Sequence, residues 1–259
     1  MQVFLAVTPK ELSAAGRFTQ SFAQVAYRVG PESSLLRQDL LLQSRGGVLS
    51  VSDRDAPPID APETLCAAVL RECGRRSYTG VLLDFESPPT ADRLRFAEQL
   101  DGLLSRNRKA LYVPEGYARV TAAAAVLVGT AISGGNFEDY LREAVARRGP
   151  ARTALDVERL RMDFRLPART GQGRSLTALE LTQLTEELQP SIFFSQVLCT
   201  RYFTYTREGE AHFVLFDDGD TLSRKLRLGT ALGVSAAFLM YPEVEDALPK
   251  LFPPQSGKG

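Results

Sequence analysis

The sequence contains few of the residues that bind metals or support nucleophilic catalysis in proteins. Among its 259 residues there are one histidine, three cysteines and no tryptophan. The single histidine, His212, gives almost no support to catalysis by a serine–histidine or cysteine–histidine pair. The cysteines and the histidine lack the spacing of a zinc site, and neither Gly46-Gly47 nor Gly134-Gly135 completes a phosphate-binding loop. The sequence therefore predicts no metal and no cofactor.

Net charge and long apolar runs are absent as well. Lys plus Arg and Asp plus Glu both number 31, so the formal net charge is zero. A protein that neutralises phosphates normally carries a basic excess, so nucleic acid is not an expected partner. The nearest approach to a membrane span, residues 120–135, is shorter than the roughly 18 apolar residues required and is rich in Ala and Gly. No membrane partner is expected.

The N-terminus and the cysteines favour a cytoplasmic location. The opening "MQVFLAVTPKEL" has no basic region and no small-residue cleavage site of a signal peptide. Cys66 and Cys73 lie on one predicted helix, about 10 Å apart along its axis, which is too far for a disulfide. Cys199 is distant from both in the sequence. Three unpaired thiols suit a reducing compartment.

Short β-rich apolar runs alternate with helical patterns, which is typical of a parallel α/β sheet. Eight runs predict strands, at 2–8, 24–29, 47–52, 79–86, 110–115, 124–133, 152–158 and 236–244. Apolar periodicity and capping residues predict helices at 61–76, 90–106, 136–148, 175–188 and 221–233. Eight strands in a chain of this length predict a (β/α)8 TIM barrel, an α/β fold.

One segment interrupts the alternation between the seventh and eighth strands. Its helix at 175–188 is followed by two β-rich runs, 191–206 and 210–218, that read as a hairpin. We interpret this segment as a small α+β insertion. The predicted division is a single barrel at 1–158 and 217–250, an insertion at 159–216 and a loose tail at 251–259.

The fourth predicted strand, 79–86 ("TGVLLDFE"), ends with two acids on one face. Because side chains alternate along a strand, Leu82, Asp84 and Glu86 share a face. In a barrel that face points to the axis and places the acids at the C-terminal rim, where barrel enzymes keep their chemistry. Two desolvated acids close together repel, so at least one should titrate high and be available as a general acid. The alternative is a rim salt bridge with Arg93, Arg95 or another arginine.

Other acids follow predicted strands. Glu115 follows the fifth strand, and Asp156 and Glu158 end the seventh, so all three are candidates to line a pocket or are ordinary loop acids. The stretch 217–221 ("DDGDT") allows a cation site, but a turn and helix cap is the favoured interpretation.

The stretch "TGVLLDFE" resembles family 18 glycoside hydrolases, the chitinase-like barrels, which carry Asp-Gly-x-Asp-x-Asp-x-Glu at the end of strand four. It keeps Gly80, Asp84 and Glu86 of that pattern and has Thr79 and Leu82 in place of two aspartates. The resemblance implies that Glu86 is the proton donor and that Asp84 orients the substrate's acetamido group.

Residues 213–244 and the insertion are similar to the end of that family too, with Tyr241 where a tryptophan usually forms a floor under the sugar. The family's strand six normally ends with a Tyr that holds the acetamide carbonyl, whereas 124–133 contains none, and Tyr112 is the candidate substitute. Tyr112, Glu115, Glu158 and Tyr241 are therefore the expected substrate-binding residues.

The resemblance implies substrate-assisted acid/base hydrolysis of short N-acetylglucosamine-containing glycans. In this mechanism the sugar's own acetamide is the nucleophile, so a second enzyme carboxylate in the usual spacing is not required. A long polymeric substrate is not expected, because the chain has no exposed Trp on which a polymer could stack.

The replaced aspartates and the missing strand-six Tyr support a different hypothesis. In it the chain is a non-catalytic chitinase-like barrel that binds a glycan or a protein partner. A metal-assisted hydrolase that uses the same acids is a third alternative with little support. The residues alone do not decide among these alternatives.

Overall fold

A computed structural model describes residues 1–38, 45–168 and 172–252. In chain order its strands are β1 (Gln2–Val7), β2 (Phe22–Gly30), β3 (Ser34–Arg37), β4 (Val48–Ser52), β5 (Gly80–Asp84), β6 (Ala110–Val113), β7 (Ala125–Gly129), β8 (Thr153–Asp156), β9 (Arg161–Arg165), β10 (Arg174–Ser175), β11 (Phe193–Ser195), β12 (Thr200–Arg207), β13 (Glu210–Phe216) and β14 (Ala236–Met240). Strands β1, β2, β4 to β8 and β14 are parallel and close into a barrel, because β1 pairs with both β2 and β14. The predicted TIM barrel is confirmed, and each predicted strand supplies one barrel strand.

Helices lie between most of the barrel strands, and further helices lie in the insertion and after β14. They are α1 (Leu12–Ala15), α2 (Pro62–Arg76), α3 (Ala91–Arg106), α4 (Phe137–Arg148), α5 (Ala178–Leu188), α6 (Gly219–Ala231), α7 (Tyr241–Val244) and α8 (Leu248–Leu251). The five predicted helices correspond to α2 through α6. Local chemistry explains their ends: Asn136 caps α4 by accepting from two backbone N–H groups, and Asp218 caps α6 with Thr221.

Side-chain alternation along the barrel strands separates two apolar layers. The inner layer fills the barrel and contains Phe4, Ala6, Ala23, Val48, Leu82, Tyr112, Ala125, Ala154, Ala236 and Phe238. Phe4 stacks on Phe238 with ring centroids 5.2 Å apart, and Tyr112 meets Phe238 edge-on at 4.8 Å. The outer layer packs the opposite strand faces against the helices. A residue's parity in its strand therefore decides which layer it enters.

A second, antiparallel sheet lies between β8 and β14 in the sequence, with strand order β10-β9-β13-β12-β11. The predicted hairpin forms as β12 and β13, joined by Glu208 and Gly209, whose φ values of 55° and 80° suit a tight hairpin turn. The first predicted arm is divided into β11 and β12 by a turn that ends at Cys199 (φ 52°). The predicted α+β insertion is confirmed as part of the fold.

The predicted domain boundaries stay a prediction. Leu251 ends α8, and the remainder of the predicted tail, from residue 253, lies outside the described residues. In the three described ranges, no helix combines the length and the apolar character that a membrane crossing requires. A cytoplasmic location also stays a prediction.

A buried ion pair ties the insertion to the barrel. The side chains of Lys225 and Asp217 are both fully buried, and Lys225 Nζ donates to Asp217 Oδ2 at 2.7 Å and to the carbonyl oxygen of Thr130 at 2.9 Å. Asp217 also accepts from the backbone N–H of Leu160 at 3.0 Å and from Thr221 Oγ1 at 2.8 Å. The pair therefore joins the start and end of the insertion to the end of β7 and to α6.

We expect Lys225→Met to lower the free energy of unfolding by about 3–5 kcal/mol, because it leaves the carboxylate of Asp217 buried without its counter-charge. The matched control is Arg142→Met, which removes one member of the exposed Glu138–Arg142 pair on α4 and should cost less than about 1 kcal/mol. Urea unfolding of both variants measures the difference. Equal losses would contradict the role of the buried pair.

Candidate functional site

A cavity of about 420 Å³ opens at the C-terminal ends of the barrel strands. Its wall contains the apolar side chains of Ala6, Val25, Leu82, Leu127, Phe238 and Met240. Five carboxyl side chains also line it, namely Asp84, Glu86, Glu115, Asp156 and Glu158. The cavity thus combines an apolar wall with a ring of acids at the face where barrel enzymes carry out their chemistry.

The end of β5 supplies two of these acids. Val81, Leu83 and Phe85 pack in the outer layer against the helices. Leu82 enters the inner layer, and Asp84 follows it at the same parity, half-buried at the top of the strand. Glu86 lies two residues further on, is exposed, and lines the same cavity. The structure therefore brings Asp84 and Glu86 together at the barrel mouth; their chemical roles stay a prediction.

The Asp84 carboxyl is disposed to hold a proton. Burial raises its pKa above the usual aspartate value, and the negative charges of Glu86 and Asp53 raise it further. No arginine in the described parts of the chain forms an ion pair with Asp84, and Arg93 pairs instead with Asp53. Asp84 is thus held near other negative charges at the mouth of the barrel.

Asp53 holds the backbone that carries Glu86. It follows β4 directly, its side chain is fully buried, and its Oδ1 accepts from the backbone N–H of Glu86 at 2.9 Å. Its other oxygen lies 3.1 Å from Nε of Arg93 on α3. Sequence reasoning missed Asp53, although an acid directly after a predicted barrel strand was an available signal. The pair Asp53–Arg93 secures the chain between β5 and α3.

The end of β8 supplies a second pair of acids with the same spacing. Asp156 is half-buried at the top of the strand, and Glu158 is exposed two residues later. Burial, together with the charges of Glu158 and Asp84, raises the pKa of Asp156 to about 7. On the neighbouring strand Gly129 leaves room for Glu158, because a Cβ there would lie 3.3 Å from Glu158 Oε2. The structure places both acids in the cavity.

Glu115 also lines the cavity, from the turn after β6. It has an ion-pair partner, Arg148 at the end of α4, whereas the four acids at the ends of β5 and β8 have none among the residues that the structure describes. Its charge is therefore balanced by a neighbour at the cavity edge.

The two predicted pocket tyrosines do not line the cavity. Tyr112 is buried in the inner layer among the rings of Phe4 and Phe238. Tyr241 packs in the outer layer, and its hydroxyl donates to Glu245 Oε1 at 2.8 Å. The reason is the alternation of side chains along β14. Phe238 and Met240 face the barrel axis, so Tyr241, the next residue, faces away from it. Met240, which is 45% exposed, is the β14 side chain at the cavity mouth.

We expect Asp53→Ala to lower the free energy of unfolding by about 3 kcal/mol, because Arg93 then stays buried without a counter-charge. The control, Glu187→Ala, breaks the exposed Glu187–Arg207 pair and should cost less than about 1 kcal/mol. Urea denaturation compares the two. A loss at Asp53 no larger than the control's would refute its bracing role.

The pKa of Asp156 is about 4 in the unfolded chain and about 7 in the folded protein. Folding therefore takes up a proton at pH values between these two. Its contribution to stability is complete below pH ~4 and is lost as the pH rises through about 7. Asp156→Asn cannot ionise, so its stability relative to wild type should rise by roughly 2–4 kcal/mol from pH ~4 to pH ~8. Urea unfolding across this range tests it. A stability difference between Asp156→Asn and wild type that stays constant across this range would contradict the prediction.

Comparison with solved structures gives the context of this site. A chitinase from Chromobacterium violaceum ATCC 12472 matches with a TM-score of 0.71 and 16% identity, over 96% of this chain and 97% of that one. The Bacillus cereus spore cortex-lytic enzyme SleL matches with a TM-score of 0.65 and 13% identity, over 97% of this chain and 74% of that one. A class V chitinase from Nicotiana tobaccum in complex with NAG4 matches with a TM-score of 0.63 and 10% identity, over 96% and 98%.

Searches with protein-family models and of curated protein sequences gave no match. The resemblance of this chain to chitinases therefore lies in its three-dimensional fold, a (β/α)8 barrel with an additional antiparallel sheet, and extends over nearly its whole length.

Proposed function

We propose that this chain is a glycosidase that hydrolyses short N-acetylglucosamine-containing glycans, such as peptidoglycan fragments, with Glu86 as general acid and base. The observation that carries the proposal is the pair Asp84 and Glu86 at the end of β5, which faces a cavity at the C-terminal mouth of a barrel whose fold is shared with chitinases. A cavity of about 420 Å³ is of the size that small-molecule sites have.

The two acids suit the two tasks of substrate-assisted hydrolysis. Glu86, exposed at the mouth, transfers a proton to the leaving glycosidic oxygen as the bond from that oxygen to the anomeric carbon breaks. The acetamide carbonyl oxygen of the substrate forms the new bond to the anomeric carbon. Asp84, deeper in the cavity, accepts a hydrogen bond from the acetamide N–H. Glu86 then takes a proton from the water that opens the cyclic intermediate and is restored to its acid form.

A second candidate function, glycan binding without turnover, rests on the two motif positions that lack an acid. Leu82 is 7% exposed and fills the barrel interior. Thr79 Oγ1 donates to the carbonyl oxygen of Gly47 at 3.0 Å. Leu82 thus contributes to barrel packing and Thr79 to a backbone contact, so β5 supplies two acids, Asp84 and Glu86, and a binding protein could retain them to orient a sugar.

Glu86→Gln should reduce hydrolysis of a panel of chito-oligosaccharides and muropeptides by at least about 100-fold, because the amide cannot donate a proton to the leaving oxygen. Product release is measured by chromatography of the reducing ends. The matched control is Glu138→Gln on the exposed face of α4, which should retain full activity.

Full activity in Glu86→Gln, or a wild-type protein inactive on every member of the panel, would refute the glycosidase. Binding of an oligosaccharide in calorimetry, without turnover, would then favour the second candidate.

A further inference from the structure

Asp156 approaches the cavity from the opposite side to Asp84. In the barrel, β8 is separated from β5 by β6 and β7, yet both aspartates line the one cavity, and the negative charge of Asp84 helps to raise the pKa of Asp156. A small polar group of a ligand that enters between these strands would therefore meet one carboxyl on each side.

The surroundings of Asp156 offer no cation. Its partners on the two flanking strands are Gly129 of β7 and Phe238 of β14, neither of which is charged. The charges that act on it are those of Glu158 and Asp84, both negative. In the described parts of the chain its carboxyl has neither an ion pair nor a hydrogen bond. A carboxylate placed in this way is stabilised by taking up a proton or by meeting a donor from a ligand.

We propose that Asp156 is a catalytic residue that acts in its protonated form, donating a hydrogen bond to the carbonyl oxygen of the substrate's acetamido group while Asp84 accepts from the N–H of the same group. This inference rests on the proposed glycosidase function and adds to it a residue from a second strand. Its chemical basis is complementarity: an acetamido group has one donor and one acceptor, and two nearby carboxyls that share one proton present one of each.

The donated bond is compatible with the reaction. A carbonyl oxygen has two lone pairs, so one can accept from Asp156 while the other attacks the anomeric carbon. The proton stays on Asp156 throughout, and the proton that reaches the leaving oxygen comes from Glu86. The role of Asp156 is to hold the carbonyl in the attacking position, which is the kind of orientation that raises intramolecular rates.

Few other side chains of the cavity wall can serve as this donor. Among the described residues that line the cavity, the donors are Ser50 and the carboxylic acids. Ser50 is 1% exposed and pairs in register with Leu82, so it lies one inward layer below Asp84. Tyr112 is packed among aromatic rings in the barrel interior. Asp156 is the last residue of β8 and lines the cavity, as does Asp84, the last residue of β5.

Two substitutions of Asp156 distinguish the effect of a hydrogen-bond donor at this position from the effect of its charge. Asp156→Asn keeps the size of the side chain and supplies an N–H donor at every pH, whereas Asp156→Ala supplies none. Each is combined with Glu86→Gln, so that binding of tri-N-acetylchitotriose can be measured by calorimetry without turnover. Cellotriose, which lacks the acetamido group, is the control ligand.

With Asp156 present, the affinity for tri-N-acetylchitotriose should fall about tenfold as the pH rises through about 7. Asp156→Asn should bind with nearly constant affinity over that range, and Asp156→Ala should bind about tenfold more weakly than wild type at low pH. Binding of cellotriose should be the same in the Asn and Ala variants. On the active protein, Asp156→Asn should keep kcat/KM above pH 7 better than Asp156→Ala.

Four outcomes would overturn the inference. Asn and Ala variants that behave alike would show that a donor is not required, and an unchanged pH dependence in Asp156→Asn would assign it to another group. If hydrolysis depends on Glu86 but is unaffected by Asp156→Ala, the role of Asp156 fails and the proposed function stands. If tri-N-acetylchitotriose binds at no pH, the role of Asp156 and the proposed function both fail.

Discussion

The strict alternation of side chains along closed parallel strands is the constraint on which the site depends. Once β5 and β8 pack their apolar faces under the helices, every second residue must face the barrel axis. An Asp-x-Glu ending on each strand then brings its acids to one mouth. In a flat sheet β5 and β8 would lie three strand spacings, roughly 14 Å, apart. Closure of the barrel through β1 is what makes their acids converge on one cavity.

Electrostatics distinguishes the cavity from the rest of the rim. Where the insertion meets the barrel, acids are neutralised by arginines, as in the pairs Arg159–Asp246 and Arg201–Asp218. Among the described residues Asp84 and Asp156 have no such partner, and burial together with neighbouring negative charges raises their pKa values. Unbalanced buried charge is unfavourable for folding and is concentrated at functional sites. The surrounding barrel and the buried pairs at Asp53 and Asp217 hold this arrangement in place.

Four of the five acids of the cavity come from the ends of two strands. At the end of β5, Leu82 fills the interior where the chitinase-like pattern has a further aspartate, and that strand retains Asp84 and Glu86. The end of β8 contributes Asp156 and Glu158 from across the mouth. Met240 gives the cavity an apolar side chain at the end of β14. The ends of β5 and β8 thus supply most of the acids that line this cavity.

The sequence by itself determined the eight barrel strands, the five long helices and the shared face of Asp84 and Glu86, because these depend on local periodicity and capping. Only the tertiary structure decided that Arg93 pairs with Asp53, that Asp156 meets Asp84 across the mouth, and that Tyr241 turns away from the cavity. The physical reason is range: alternation within a strand is set by neighbouring residues, whereas pairing partners and the direction of a rim side chain are set by strands that closure brings together from distant parts of the chain.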